Sequence, residues 1–503
     1  MDKNGNITID RELWKNGIAS HPTLGMGDIV NVDIFDKDGI AKIDFAPTLV
    51  ADATDVTDAS TDAFQCCTIQ TGGDAVWGTD EGDVLTYNGT TSTENVGSVA
   101  GNFQHSVEWK GYTIFADYSQ ANNTLKVSAY ATSLSGDNIE YGFETMTSGI
   151  LQSGNGDYRF TRGHITIGVD DIVYVGAGQY VGSLQEIAGQ TFDPTNGSTY
   201  TWTPEALDIP SEYEVDSLTN LNDFLMISAG NPRTRTQEIF PWDRLSASFN
   251  FPTPLNEGVA GQVASIDGLS YFLNGIKGKF SVTNRSSVQK VTEFENINFS
   301  NQTAGLAQNP NAISSLDDVF YIGISNEEAT EAYPVGVYKV KDGKFTRLTI
   351  STDADGQTEE LRIYFVVPYS YTNMLVSWRD TTADTYGIDE FGKNGYRYTG
   401  YKSYMEGPLF TVGGSMNKKS YSKLEVSIAK ELSEDQAIRV SYRQNLTDSF
   451  TVIGTFDFAT YGAVADFETT AKITDVTTCQ LKVEMTTGAS STTTPELISA
   501  RIF

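Results

Sequence analysis

Leu316-Asp317-Asp318-Val319-Phe320-Tyr321-Ile322-Gly323 is an apolar residue, a polar two-residue turn and a run of hydrophobics. Such a run, entered through a tight reversal, reads as a buried strand. The pattern returns as Val169-Asp170-Asp171-Ile172-Val173-Tyr174-Val175-Gly176 and as Thr71-Gly72-Gly73-Asp74-Ala75-Val76-Trp77-Gly78. Variants at 109–115, 221–228, 266–273 and 371–378 bring the total to seven. Their turn residues are Gly73, Gly111, Asp171, Asp223, Gly268, Asp318 and Asn373, a repeat of roughly 40 to 60 residues. That is the period of propeller blades with four strands each. Asp-Asp, Asn-Asp, Asp-Gly and Lys-Gly tolerate the positive φ of a tight hairpin. The runs that follow lack the clean alternation of a strand with one wet face, which sets a propeller ahead of an array of sandwiches with similarly spaced hairpins.

The expected fold is therefore all-β: a propeller of about seven blades over 64–403, preceded by an arm and hairpin in 1–63. After Tyr404 the pattern becomes strict period two, with Leu424, Val426 and Ile428, then Ile438, Val440 and Tyr442, then Leu481, Val483 and Met485. That alternation predicts a β-sandwich over 404–503, and it outweighs the local helix propensity of Ala429-Lys430-Glu431-Leu432. In the N-terminal segment, 1–28 reads as a polar arm with a short helix near Asp10–Asn16, too poor in apolar residues to order except against a neighbour. The hairpin from Ile29 to Phe45 is a flap or the strand that closes the ring, and 48–63 reads as a linker. The stretch from Gly189 to Pro210 reads as an insertion projecting from one rim.

The 503 residues carry a formal charge of −31, which repels phosphate backbones and anionic membranes. Nucleic-acid binding is not expected. No run approaches the roughly 20 apolar residues of a membrane span, and Met1–Asn6 does not open a secretory signal. Cys66 and Cys67 are adjacent and point to opposite faces of a strand, while Cys479 is remote. With His21, His105 and His164 the only histidines, no closed transition-metal site and no nucleophile motif emerges. Asp2-Lys3-Asn4-Gly5-Asn6-Ile7 has alternate oxygen ligands, but Ile7 and Leu13 occupy positions where a calcium loop needs glycine and an acid. No cofactor or metal is expected. Carboxylates are numerous enough for a glycosidase pair, though no Asp-box repeat is visible.

The clearest local basic cluster with aromatics is Pro232-Arg233-Thr234-Arg235 followed by Phe240-Pro241-Trp242-Asp243-Arg244. Arg233, Arg235, Trp242 and Arg244 are the candidate rim-loop contacts, since propellers place function in such loops. The competing reading has Trp242 packed under its own loop and the arginines offsetting nearby acids.

The run Gly407-Pro408-Leu409-Phe410-Thr411-Val412-Gly413, with Leu424-Glu425-Val426, Ile438-Arg439-Val440-Ser441-Tyr442-Arg443, Asn445-Leu446-Thr447-Asp448-Ser449-Phe450 and Ile453-Gly454-Thr455-Phe456-Asp457, resembles the terminal sandwich of virion proteins of tailed bacteriophages. There it follows a repetitive all-β region. The resemblance covers the last fifth of the chain and implies a non-enzymatic structural part of a tail, whether nozzle, hub or adsorption apparatus, assembled in the host cytoplasm. Its partners would be other virion proteins, copies of itself and host-surface glycan. It carries over no site residues. The alternatives are a carbohydrate-binding adhesin, stacking sugars on Trp242, Trp378 or tyrosines, and a polysaccharide-active hydrolase.

Overall fold

The computed structural model describes residues 6–15, 17–18, 26–37, 39–56, 63–96, 99, 101–119, 124–136, 138–147, 163–231, 234, 236–255, 264–266, 268–274, 279–285, 287–293, 309, 311–325, 335–351, 361–380, 383–412, 418–489 and 491–503. Among these the regular secondary structure is nearly all strand. Each of the seven stretches is the hairpin between the first two strands of a four-stranded antiparallel unit. The first strands are Phe64–Ile69, Phe103–Trp109, His164–Ile167, Glu214–Leu221, Ala264–Ile266, Ile313–Leu316 and Leu361–Pro368. Six units are separate four-stranded sheets, and the sixth in chain order is one end of a ten-stranded sheet. The first strand of each unit lies against the first strand of the next, and that of the seventh unit against that of the first, so the arrangement is propeller-like.

The turn chemistry explains the hairpins. Lys110 and Gly111 have φ of 54° and 83°, and Asp317 and Asp318 have 49° and 61°. Two positive-φ residues in a row match the right-handed twist of the flanking strands. The second strands are buried from end to end in Ala75–Thr79 and Val173–Ala177, because each is covered by sheets on both sides. Five residues after the turn residue stand Gly78, Gly176 and Gly323. A Cβ at Gly78 would lie 2.8 Å from Phe103 Cβ, one at Gly176 2.5 Å from Val215 Cγ1, and one at Gly323 2.4 Å from Ile363 Cγ2. Each of these neighbours belongs to the first strand of the following unit, so the missing side chain lets the sheets close up.

Three expectations about connecting segments are corrected. The seventh sheet is completed by Pro47–Asp52, which pairs with Thr385–Phe391 through Gly387↔Asp52, Ile388↔Ala51 and Asp389↔Leu49. This closing strand lies in the stretch read as a linker. Its composition is weak for a strand, but the open edge of Thr385–Phe391 supplies backbone partners and buries Ala51. The hairpin between Ile29 and Phe45 closes nothing; its strands Val32–Asp33 and Ala41–Ile43 join the C-terminal sheet instead. The stretch from Gly189 does not project as an insertion either. Tyr200–Asp208 is the fourth strand of the third sheet, and Phe192 is buried against Trp109, Tyr112 and Tyr200 at centroid distances of 4.6, 5.3 and 5.5 Å.

The C-terminal strands form two sheets. One runs Val32–Asp33, Ala41–Ile43, Glu496–Ile502, Lys419–Ile428, Asp466–Val476, with Ile7–Asp10 also paired to Glu496–Ile502. The arm thus finds its neighbour within its own chain. Asp10 caps the short helix Arg11–Trp14, and Trp14 is 1% exposed. The other sheet continues from the sixth unit: Lys344–Leu348 pairs in parallel with Asp28–Val30, followed by Ser403–Glu406, Thr478–Thr486, Ala437–Arg443 and Thr451–Asp457. Val30↔Arg347 is the junction. Beneath the N-terminal hairpin, Lys339 Nζ is buried 2.7 Å from Asp44 Oδ2 and 3.7 Å from Asp33 Oδ1. Burial opposes its charge, but the two carboxylates more than offset this and hold the ammonium above its usual range. One hydrophobic cluster runs from Ile322 and Val337 of the sixth unit through Ile9 and Trp14 to Val483 and Ile502.

Candidate functional site

The loop after the third strand of the fourth sheet, Thr236–Trp242, carries the described members of the candidate contact set. Trp242 is 3% exposed, donates through Nε1 to Ser246 O at 2.8 Å and meets Tyr174 edge-on at 5.7 Å. Its ring packs inside the sheet interface and offers no face to a ligand. Arg244 reaches Asp170 Oδ2 at 3.4 Å and donates to Asp223 O at 2.8 Å, tying the hairpins of the third and fourth sheets together. Arg233 and Arg235 lie outside the described residues, as does His21. Trp378, the other candidate stacking platform, is 4% exposed. The loop is built around Asp243, whose carboxylate accepts from Leu245 N at 2.9 Å and from Ser246 N and Oγ at 2.7 Å each. Those hydrogen bonds hold its carboxyl below the usual range.

The first strands of neighbouring sheets bring together residues that the sequence keeps far apart. A cavity of about 150 Å³ is lined by Cys67, His105, Ser106, Asn311, Ser314 and Val367 among others. Asn311 links three sheets: its Nδ2 donates to Gln104 O at 2.6 Å and Gln65 O at 3.4 Å, and its carbonyl accepts from Val366 N at 3.0 Å. Thr68 Oγ1 donates to Ser106 Oγ at 2.6 Å. His105 and His164, on the first strands of adjacent sheets, meet with centroids 3.9 Å apart and ring planes tilted by 40°. Leu218 N of the fourth sheet donates to His164 Nδ1 at 3.1 Å.

Burial pushes His105 down to about 3, and burial with His105 alongside holds His164 well below the usual imidazole range. Both rings are neutral at physiological pH. Burial also lifts the Cys66 thiol to about 12 and Cys67 well above its ordinary value, so neither is a ready nucleophile. The lining offers uncharged hydrogen-bonding groups around a small volume, suited to ordered water or a small neutral molecule. Sequence reasoning placed both histidines beside strands but did not pair them. The available signal was that each lies in the strand just before a turn motif.

No group of three or more His, Cys, Asp or Glu side chains that could hold a metal ion occurs among the described residues. No helix among them is long and apolar enough to cross a membrane.

No family model and no curated protein matches the sequence. Solved structures are similar in fold. BamB from Moraxella catarrhalis aligns over 72% of this chain and 95% of its own at 11% identity and a TM-score of 0.39. The Dos1 propeller covers 70% and 94% at 10% identity and 0.39, and YCF48 from Cyanidioschyzon merolae 69% and 98% at 10% identity and 0.42. These are likenesses of fold alone.

Proposed function

We propose that the chain is a structural component of a tailed-phage virion, placed in the tail and acting by protein–protein assembly. In this reading the seven units are the blades of one ring, closed by Pro47–Asp52, and the C-terminal strands are a two-sheet sandwich. The observation that carries it is the ten-stranded sheet. Hydrogen bonding passes without interruption from the sixth unit through Asp28–Val30 into the C-terminal strands, which makes the two parts one stiff body with its rims and outer faces free for neighbours. A scaffold under load needs such a joint, whereas a flexible linker between domains would let them move independently. The resemblance of 407–457 to terminal sandwiches of virion proteins points the same way.

The test is to raise antibody against the purified chain and apply it, gold-labelled, to tailed particles from the producing cells. Label on the tail is expected. A chain found only outside particles, with a soluble glycan-cleaving activity, would replace this reading with the hydrolase one. If host-surface glycan is a further partner, Tyr371, 90% exposed in the hairpin of the seventh unit, is an aromatic able to stack on it.

A further inference from the structure

The loop at 243–252 is unusual in being firmly built and yet displaying large apolar side chains to water. Asp243 fastens its start, Trp242 Nε1 holds Ser246 O, and Asn250 N donates to Pro241 O at 2.7 Å. Phe249 packs edge-on against Phe240 at 4.8 Å, anchoring the loop from beneath. Held this way, Leu245 is 94% and Phe251 96% exposed. Arg244 bridges the loop to the third sheet's hairpin, where Val169 is 62% exposed. Scattered exposed leucines mean little. Two nearly bare apolar side chains on one pre-ordered loop, with a third on the hairpin bridged to it, present an anchor whose ordering cost is already met.

Near them are Asp170, Asp171, Asp223 and Asp243, with two cations among the described residues, Arg244, largely buried against Asp170, and Arg285, laid over the Phe224 ring at 4.2 Å. Lys110 engages Asp171 at the margin. The surroundings are therefore net acidic on a chain already at −31. A second copy would bring the same charge to the contact, and an anionic lipid surface would be repelled.

We propose that Leu245 and Phe251 are the apolar anchors of a protein–protein contact whose partner offers a hydrophobic pocket bordered by lysine or arginine. The proposal deepens the assembly reading and rests on it. Apolar anchors set the residence time, and the acidic border selects and steers the partner.

The experiment places the photo-crosslinking residue p-benzoylphenylalanine at Phe251 of the full chain in producing cells, with Thr447, exposed in the C-terminal sheets, as the control position. Mass spectrometry should map the Phe251 cross-link to apolar residues flanked by Lys or Arg on another virion protein. With that protein purified, Leu245→Ser/Phe251→Ser should weaken binding at least tenfold without shifting the melting temperature. Raising salt from 50 to 500 mM should weaken wild-type binding and leave an apolar remainder. A cross-link to a second copy or to lipid, a cross-link at Thr447 alone, or unchanged affinity of the double variant would overturn the proposal. If the chain is found in particles but Phe251 cross-links nothing, this contact fails while the assembly reading stands. If no particle holds the chain, the assembly reading fails first.

Discussion

Gly323 is the smallest element of the design with a measurable consequence. Its backbone lies so close to Ile363 that a methyl group would meet Cγ2 at 2.4 Å and Cβ at 2.8 Å, with Ala312 Cβ at 3.0 Å on the other side. Ile363 is a fully buried branched side chain and cannot swing away. Gly323→Ala should therefore cost about 1–3 kcal/mol by overpacking, read as a lower urea midpoint, although alanine ordinarily favours a strand over glycine. An unchanged midpoint would mean that the sheets can shift apart. The paired histidines His105 and His164 supply the second residue-scale prediction. Their folded values lie below the unfolded value of about 6.5, so the unfolded chain binds more protons as pH falls. Their contribution is complete above about pH 6.5 and is lost progressively toward pH 3, by up to about 1.4 kcal/mol per histidine per unit. Asp389, held up near 6 by burial despite hydrogen bonds from Ser351, runs the other way: its contribution is complete below about 3.8 and is lost as pH rises through 6. His105→Phe should flatten the fall in urea midpoint between pH 6.5 and 5. Equal slopes for variant and wild type would contradict the burial of neutral rings.

Among the elements, the closing strand Pro47–Asp52 is the one on which ring closure turns. Its ladder to Thr385–Phe391 joins residues far apart in sequence, and it is the outermost strand of the seventh sheet. Replacing Leu49-Val50-Ala51 by Gly-Pro-Gly removes the buried Ala51 side chain and puts two glycines at the ladder positions paired with Asp389 and Ile388, weakening the strand. Limited proteolysis of this variant should begin within Thr385–Phe391, ahead of any cut in the first six units. Protection equal to wild type would show that the strand is dispensable. The hairpins, by contrast, are fixed locally, since positive φ at Lys110–Gly111 and Asp317–Asp318 needs only those residues and their flanking strands.

At the scale of the whole molecule, the joint between ring and C-terminal sheets sets what can be removed. Ile7, Ile9 and Trp14 are buried in the same cluster as Val483 and Ile502, so deletion of 405–503 would bare the underside of the N-terminal strand and the edge of Asp28–Val30. We expect the 1–404 fragment to be insoluble or to bind a hydrophobic dye strongly, and the 53–404 fragment to be worse because it also lacks the closing strand. A soluble, cooperatively melting 1–404 fragment would show that the ring stands alone. The buried Lys339 with Asp44 and Asp33 belongs to this joint as well, and it favours one seating of the hairpin, because any other would leave charges unpaired.

What the sequence determined by itself is what short-range physics determines. Turn residues, the apolar runs behind them and the change to period two after Tyr404 mark the seven hairpins and the separate C-terminal pattern, because φ preference and side-chain alternation act within a few residues. The same logic foresaw the short helix near Asp10 and the opposite-facing cysteines. What only the tertiary structure decided are pairings across hundreds of residues. Pro47–Asp52 has the composition of a linker and becomes a strand because an unpaired edge awaits it. His105 meets His164, and Asn311 reaches Gln65 and Gln104, only because the sheets set their first strands side by side. The sequence leaves Trp242 open to two readings, a rim-loop contact or a ring packed under its own loop, and the packing decides for the second, while Leu245 and Phe251 in the same loop are left bare. Which side of a loop faces solvent depends on what packs beneath it, and no local pattern encodes that.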